Sequence, residues 1–235
     1  MNKVNLPRSR KGFAVFCICT VFSAVAIALI GSFLMPRRAA ALCFTVAVCA
    51  CAVLGSGIFE RSRISTLNIS LTAVMTALSV VGRVAFYAVP FFKPVSAAVI
   101  LCGIWLGPVS GMICGALSAL LSGVFFGYGI WLPFQMAAWG LIGLFAGILS
   151  SPLKKSRILT VLFGIASALF FSAFMDVFTV LELGGGFNLA AYGTALIAAT
   201  PVTLIYAVSN VIFLLVFIAP VGRRLERVER KYGKI

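Results

Sequence analysis

Apolar runs long enough to cross a bilayer, punctuated by short polar breaks, repeat along nearly the whole chain. About 20 helical residues span roughly 30 Å of hydrocarbon, and eight segments meet or approach that length: 12–35, 39–59, 67–89, 93–107, 109–127, 131–150, 157–181 and 193–219. The fourth is short and ends at Gly107-Pro108, where proline cannot continue a helix. The pattern predicts an all-α integral membrane protein with about eight transmembrane helices. The stretch GIFERSRIS sets the first two spans apart, giving an N-terminal two-helix extension (1–60), a six-helix core (61–222) and a basic tail (223–235).

Within the spans, small residues recur at helical spacing. In lipid, helices associate through close packing at such residues, because apolar burial no longer separates protein from solvent. Gly111, Gly115, Ala119 and Gly123 form one smooth face, and Gly143 and Gly147 another, both expected to be internal seams. Ala73 and Ala77 make a further pair on the third span. An internal seam and a docking surface for a second protein fit that pair equally.

Polar residues are sparse and gather at one depth. Arg83, Gln135 and Asp176 lie on three different spans, each roughly 8–10 Å beneath the same boundary at 1.5 Å per residue. Buried ionisable groups are costly in a membrane and normally face a bundle interior or a wet cavity with a partner. Arg83 with Asp176 is the expected pair. Trp131, Gln135 and Trp139 share one stripe at i, i+4, i+8, and three more stripes run through Ser79, Arg83 and Tyr87, through Ser172, Asp176 and Thr179, and through Thr203, Tyr206 and Asn210. Trp131 has an alternative use as an interfacial anchor, but Trp139 is too deep for that. Two connections, AVPFFKPV and LELGGGFNLAAYG, complete a proposed pocket, the second as a mobile lid or a plain linker.

Composition narrows the chemistry. The 235 residues are 62% hydrophobic with a formal charge of +14 and a mean hydropathy of +1.15. There is no His and there are five acids, which excludes His-based catalysis and disfavours carboxylate-dense metal or two-carboxylate sites. Asp176 with Glu182 is too thin a pair for a lipid-modifying enzyme, and no inverted repeat or paired broken helix marks an ion-driven secondary transporter. The seven Cys fall in or beside spans and read as small packing residues.

The charge tracks topology. With the N-terminus in the cytoplasm, 15 of the 19 Lys and Arg fall inside, and only Arg37, Arg38 and Lys93 outside. The positive-inside rule therefore places both termini in the cytoplasm and accounts for the basicity without nucleic acid. The apolar run at the N-terminus exceeds a usual signal-peptide core and is expected to remain as an anchor.

Three features, the Ala73-x-x-x-Ala77 motif, GRVAFYAVPFFKPVSAAVILCGIWLGPVSG and GYGIWLPFQMAAWGLIG, give residues 67–220 a resemblance to the substrate-binding S components of energy-coupling factor (ECF) transporters. The resemblance implies a six-helix S-component-like core in a prokaryotic cell membrane. It also implies an outward-facing vitamin site, and partners comprising a transmembrane coupling subunit and two ATPase subunits. Ala73 and Ala77 would be the docking surface. The tryptophan-rich helix looks most like the cobalamin and queuosine-precursor branch. No G-x-x-x-x-G-K-[ST] occurs, so ATP would be used by the partners alone and no cofactor would be held permanently. The expected ligand contacts are Arg83, Tyr87, Trp131, Gln135, Trp139, Asp176 and Asn188, within membrane lipid.

Overall fold

A computed structural model describes residues 66–129, 131–184 and 187–232. The two expected N-terminal spans lie outside the described residues. Seven helices follow in order: α1 (Thr66–Ala85), α2 (Val95–Leu106), α3 (Pro108–Phe126), α4 (Leu132–Ile148), α5 (Ser150–Lys155), α6 (Arg157–Gly184) and α7 (Leu189–Tyr232). No strand occurs among the described residues. Four of these, α1, α3, α6 and α7, are long and apolar enough to cross a membrane, while α2 and α4 are shorter apolar helices. The all-α membrane fold is therefore as expected.

α2 explains its own shortness. It is apolar on every side, as a helix buried all round must be, and Ala97, Val99, Ile100, Cys102 and Ile104 are almost wholly enclosed. Twelve residues rise only about 18 Å, so α2 is a core pillar packed against α1, α3, α4 and α7. Gly107 then takes φ +96 and Pro108 opens α3, the break the sequence predicted at this point.

α2, α3 and α4 meet at a glycine node. A Cβ on Gly111 would collide with the Gly143 carbonyl, one on Gly143 with the Gly111 carbonyl, one on Gly103 with Gly143 again, and one on Gly115 with the Trp139 carbonyl. The two predicted small-residue faces are thus the two sides of one seam, between α3 and α4. Gly123 departs from it, lying instead beneath the Tyr128 ring.

The bundle has two unlike ends. One carries residues 86–94, 127–129 and 187–188 and is rich in aromatic rings. The other carries α5 and the basic C-terminal turns, where Trp105 packs against Gly222 with Lys154 Nζ 5.8 Å from its ring. α7 does not stop at the expected 219. Its apolar Val221 and Leu225 stay packed on the core, and the helix runs through the basic tail to Tyr232 without a break at 222. The connection read as a mobile lid or a plain linker is shorter than expected, since α6 extends to Gly184 and α7 begins at Leu189.

Candidate functional site

Arg83 occupies the last turn of α1 and is buried. Its Nη1 donates to Ser122 Oγ at 2.5 Å, and that hydroxyl in turn donates to the Ser118 carbonyl at 2.6 Å. The guanidinium carbon lies 4.4 Å from the Phe126 ring centre and 4.9 Å from that of Trp139. Such cation–π contacts are worth more when desolvated, and they let a cation sit in an apolar bundle without a carboxylate.

The expected Arg83–Asp176 ion pair is not formed. The guanidinium is held by a serine and two ring faces, and the indole beyond it already stacks on Phe171 of α6, with centroids 5.0 Å apart and planes at 16°. Asp176, one turn further along α6, keeps Oδ2 buried and without a partner. Tyr206 lies within electrostatic reach of both charges and stands edge-on to Phe171 at 5.4 Å.

These contacts build an aromatic wall from Trp139 through Phe171 to Tyr206, drawn from α4, α6 and α7, with Phe126 of α3 joined to it across the Arg83 guanidinium. It ends on Phe91, edge-on to Tyr206 at 5.9 Å. Phe91 has φ +61, a left-handed conformation that a bulky side chain adopts only when its surroundings impose it. The imposition is visible on either side of it. Phe92 is clamped between Phe86 and Phe213, and Ser209 of α7 donates to the Lys93 carbonyl at 3.0 Å.

Several buried polar atoms at this end lack hydrogen-bond partners: Ser79 Oγ, Arg83 Nε, Ser118 Oγ, Trp139 Nε1 and Asp176 Oδ2. Each such group costs about 1–3 kcal/mol, so a cluster of them calls for an explanation. Positive charge dominates as well. Lys93 Nζ lies 5.2 Å from the Phe126 ring, and burial together with the nearby Arg83 charge holds that ammonium below its ordinary range. No carboxylate pairs with either cation among the described residues. Nor is there a group of three or more potential metal-ligating side chains among them.

The other expected contacts divide. Gln135 is half-buried one turn above Trp139. Trp131 is at the rim, 40% exposed, its ring folded against Gly129. Tyr87 is 64% exposed and packs on the outside of Phe126, 5.3 Å away. Asn188 caps α7, its Oδ1 accepting from Ala190 N at 2.9 Å, an ordinary N-cap duty. Asn210 likewise serves the fold, donating to the Gly164 carbonyl at 2.9 Å. Residues absent from the sequence reading are Ser118, Ser122, Phe126 and Phe171, while Phe91 stood there only within the connection AVPFFKPV. A signal for the serines was present, since Ser122 lies five residues inside Gly127, at the depth of Arg83.

Ala73 and Ala77 lie on the outward face of α1, both exposed among the described residues. Sequence leaves open an internal seam and a docking surface, and the other described helices leave these two residues uncovered.

Comparison with known proteins bears on what this arrangement is for. The family model described as "ECF-type riboflavin transporter, S component" matches residues 63–227. A UPF0397 protein of Aliivibrio fischeri (strain MJ11) is 25% identical over 151 residues, covering 61% of this chain and 78% of that protein. One from Aliivibrio salmonicida is 26% identical over 154 residues with the same coverage. A third, from Vibrio atlanticus, is 26% identical over 156 residues, 63% of this chain and 81% of its own length. No solved structure matches significantly. The matched family is of the riboflavin type and lends no support to the cobalamin and queuosine-precursor branch. The chain belongs to the S-component family of ECF transporters: it is a multi-pass membrane subunit of an importer that works with an ECF coupling module and ATPases, and it is not an enzyme.

Proposed function

We propose that this S subunit captures a riboflavin-class ligand, a planar heteroaromatic ring with a carbonyl- and N–H-bearing edge, at the aromatic end of the bundle. The observation that carries the reading is the set of unpartnered buried atoms Arg83 Nε, Trp139 Nε1 and Asp176 Oδ2, on three helices beside one aromatic wall. A flat ring would lie along aromatic faces. Its carbonyl oxygens would accept from the guanidinium and the indole, and an N–H would donate to Asp176. The uncompensated positive charge favours an electron-rich edge over a cationic vitamin. Gln135 lines the wall one turn above Trp139, with Trp131 and Tyr87 at the rim, while Asn188 is assigned to its cap.

In this reading the aromatic end faces outward and both termini are cytoplasmic, as the distribution of basic residues favours. The exposed Ala73–Ala77 face of α1 meets the coupling subunit, where small residues permit close helix approach. ATP is consumed by the partner subunits.

The test is titration of the purified full-length protein with riboflavin, cobalamin and queuine, followed by quenching of tryptophan and flavin fluorescence. Riboflavin is expected to bind tightly, with affinity falling in Arg83→Met and Trp139→Ala. Saturable binding of cobalamin with none of riboflavin would overturn the assignment.

A further inference from the structure

Two cations share one ring at the aromatic end. Arg83 Cζ lies 4.4 Å from the Phe126 ring centre, and Lys93 Nζ lies 5.2 Å from the same centre. They reach it from different elements, Arg83 from the last turn of α1 and Lys93 from the connection into α2. Like charges this close repel, and more strongly where burial strips water from them.

A lysine in a connection ordinarily swings its charge out into water. Here the backbone on either side of it is fixed. Phe91 turns the chain at φ +61, Phe92 is clamped between Phe86 and Phe213, and the Lys93 carbonyl accepts from Ser209 of α7 at 3.0 Å. The side chain is half-buried, and its ammonium stays beside a second cation.

Nothing negative stands between the two. Asp176 and Glu182, both on α6, are the only acids at this end among the described residues, and neither forms an ion pair with Arg83 or Lys93. Arg83 is only 9% exposed, and its Nε has no partner although Nη1 is bound to Ser122. A guanidinium carries five N–H donors in a fixed fork, so it can meet a ring carbonyl and an anion together. Buried cations are stable when a counter-charge is supplied. Arginine matches the oxygens of a carboxylate or phosphate, and lysine adds a point charge.

We infer that Arg83, Lys93 and Phe126 form an anion subsite, and that the ring ligand carries an acidic substituent, a phosphate monoester or a carboxylate, held between the two cations. The identity of the ring rests on the flavin-class reading proposed above; the anion rests on the cation pair alone. Arg83 serves ring and anion both. Lys93 serves the anion, and so sets the preference between neutral and acidic ligands.

The experiment titrates the purified full-length protein with two acidic flavins, each against a neutral counterpart, by quenching of flavin fluorescence. Riboflavin phosphate is compared with riboflavin, and a flavin bearing a carboxymethyl group in place of the ribityl chain is compared with lumiflavin. At least one acidic flavin should bind more tightly than its counterpart by about tenfold or more, as a charge-assisted hydrogen bond supplies. Which of the two does so distinguishes phosphate from carboxylate. Lys93→Met should abolish that preference and Lys93→Arg should keep it, which separates charge from packing. Equal binding of acidic and neutral flavins, or a preference that survives Lys93→Met, overturns the inference.

If no flavin binds at all, inorganic phosphate decides. Measured against chloride at equal ionic strength, it should raise the Tm of the wild type and of Lys154→Met at the opposite end, but not that of Lys93→Met. That result would keep the anion subsite and sink the flavin reading. No rise in the wild type, or an equal rise in Lys93→Met, would sink both.

Discussion

α3 and α4 lie side by side along their length, yet their two ends are built on opposite terms. Around Gly111 and Gly143 the backbones touch, and a Cβ on either glycine would meet the carbonyl of the other. Toward Phe126 and Trp139 the same helices flank a guanidinium, and the buried polar atoms outnumber their partners. The first arrangement is complete in itself and fixes the angle and separation of the helices. The second leaves buried side-chain atoms without partners among the described residues, which the proposed ligand would satisfy. Rigidity at the node holds the aromatic wall in place for whatever fills it, as a binding site carried on a fixed scaffold requires.

The sharpest way to break the contrast is to insert volume at the node. Gly143→Leu drives a side chain into the Gly111 carbonyl, and since backbone cannot yield as a flexible side chain can, the loss should exceed about 3 kcal/mol, the upper range for ordinary overpacking. Thermal unfolding in detergent should show a large fall in Tm, or no folded protein at all. Gly193→Leu, at a position with open space around it, should leave Tm nearly unchanged.

At the aromatic end the same measurements should part company. Arg83→Met replaces a buried charge with a side chain of similar length, a kind of exchange that is often neutral or stabilising. Tm should hold or rise, while affinity for riboflavin falls by about 10- to 100-fold, the loss of one charged hydrogen bond of about 1.5–3 kcal/mol. Asp176→Asn should act in the same sense but less, about tenfold or below, because the amide retains one acceptor oxygen. A drop in Tm matching the drop in affinity for either variant would mean that these residues serve the fold.

Much of this was legible in sequence because the bilayer enforces it. Span lengths, the Gly107-Pro108 break and the glycine faces follow from hydrocarbon thickness and from the need for close packing, and both are local in the chain. What was not legible depended on which neighbour a side chain meets. Depth placed Arg83 and Asp176 together and suggested an ion pair. In the fold, Phe126 and Trp139 take the guanidinium first, and no spacing rule states which side chain reaches it. Phe171, one of many phenylalanines on α6, had nothing to distinguish it until Trp139 lay flat upon it. The connection holding the three glycines reads as a mobile lid or a plain linker because glycine is a poor helix former, but α6 runs to Gly184 and Asn188 caps the start of α7.

Asn188 therefore offers the smallest and most discriminating substitution. Its sequence position beside a glycine-rich connection suggested a ligand contact, whereas its Oδ1 accepts from the first free N–H groups of α7. A cap needs only an acceptor, which aspartate supplies and alanine does not. A ligand contact through the amide nitrogen needs a donor, which neither supplies. Asn188→Ala should cost about 0.5–2 kcal/mol, confined to the first turn of α7 and measurable as faster amide exchange there. Asn188→Asp should restore the protection, with riboflavin affinity the same in all three proteins. If Asn188→Asp kept the helix protected but weakened binding, the side chain would belong to the aromatic end after all, and the boundary between scaffold and site would have to be moved outward to include it.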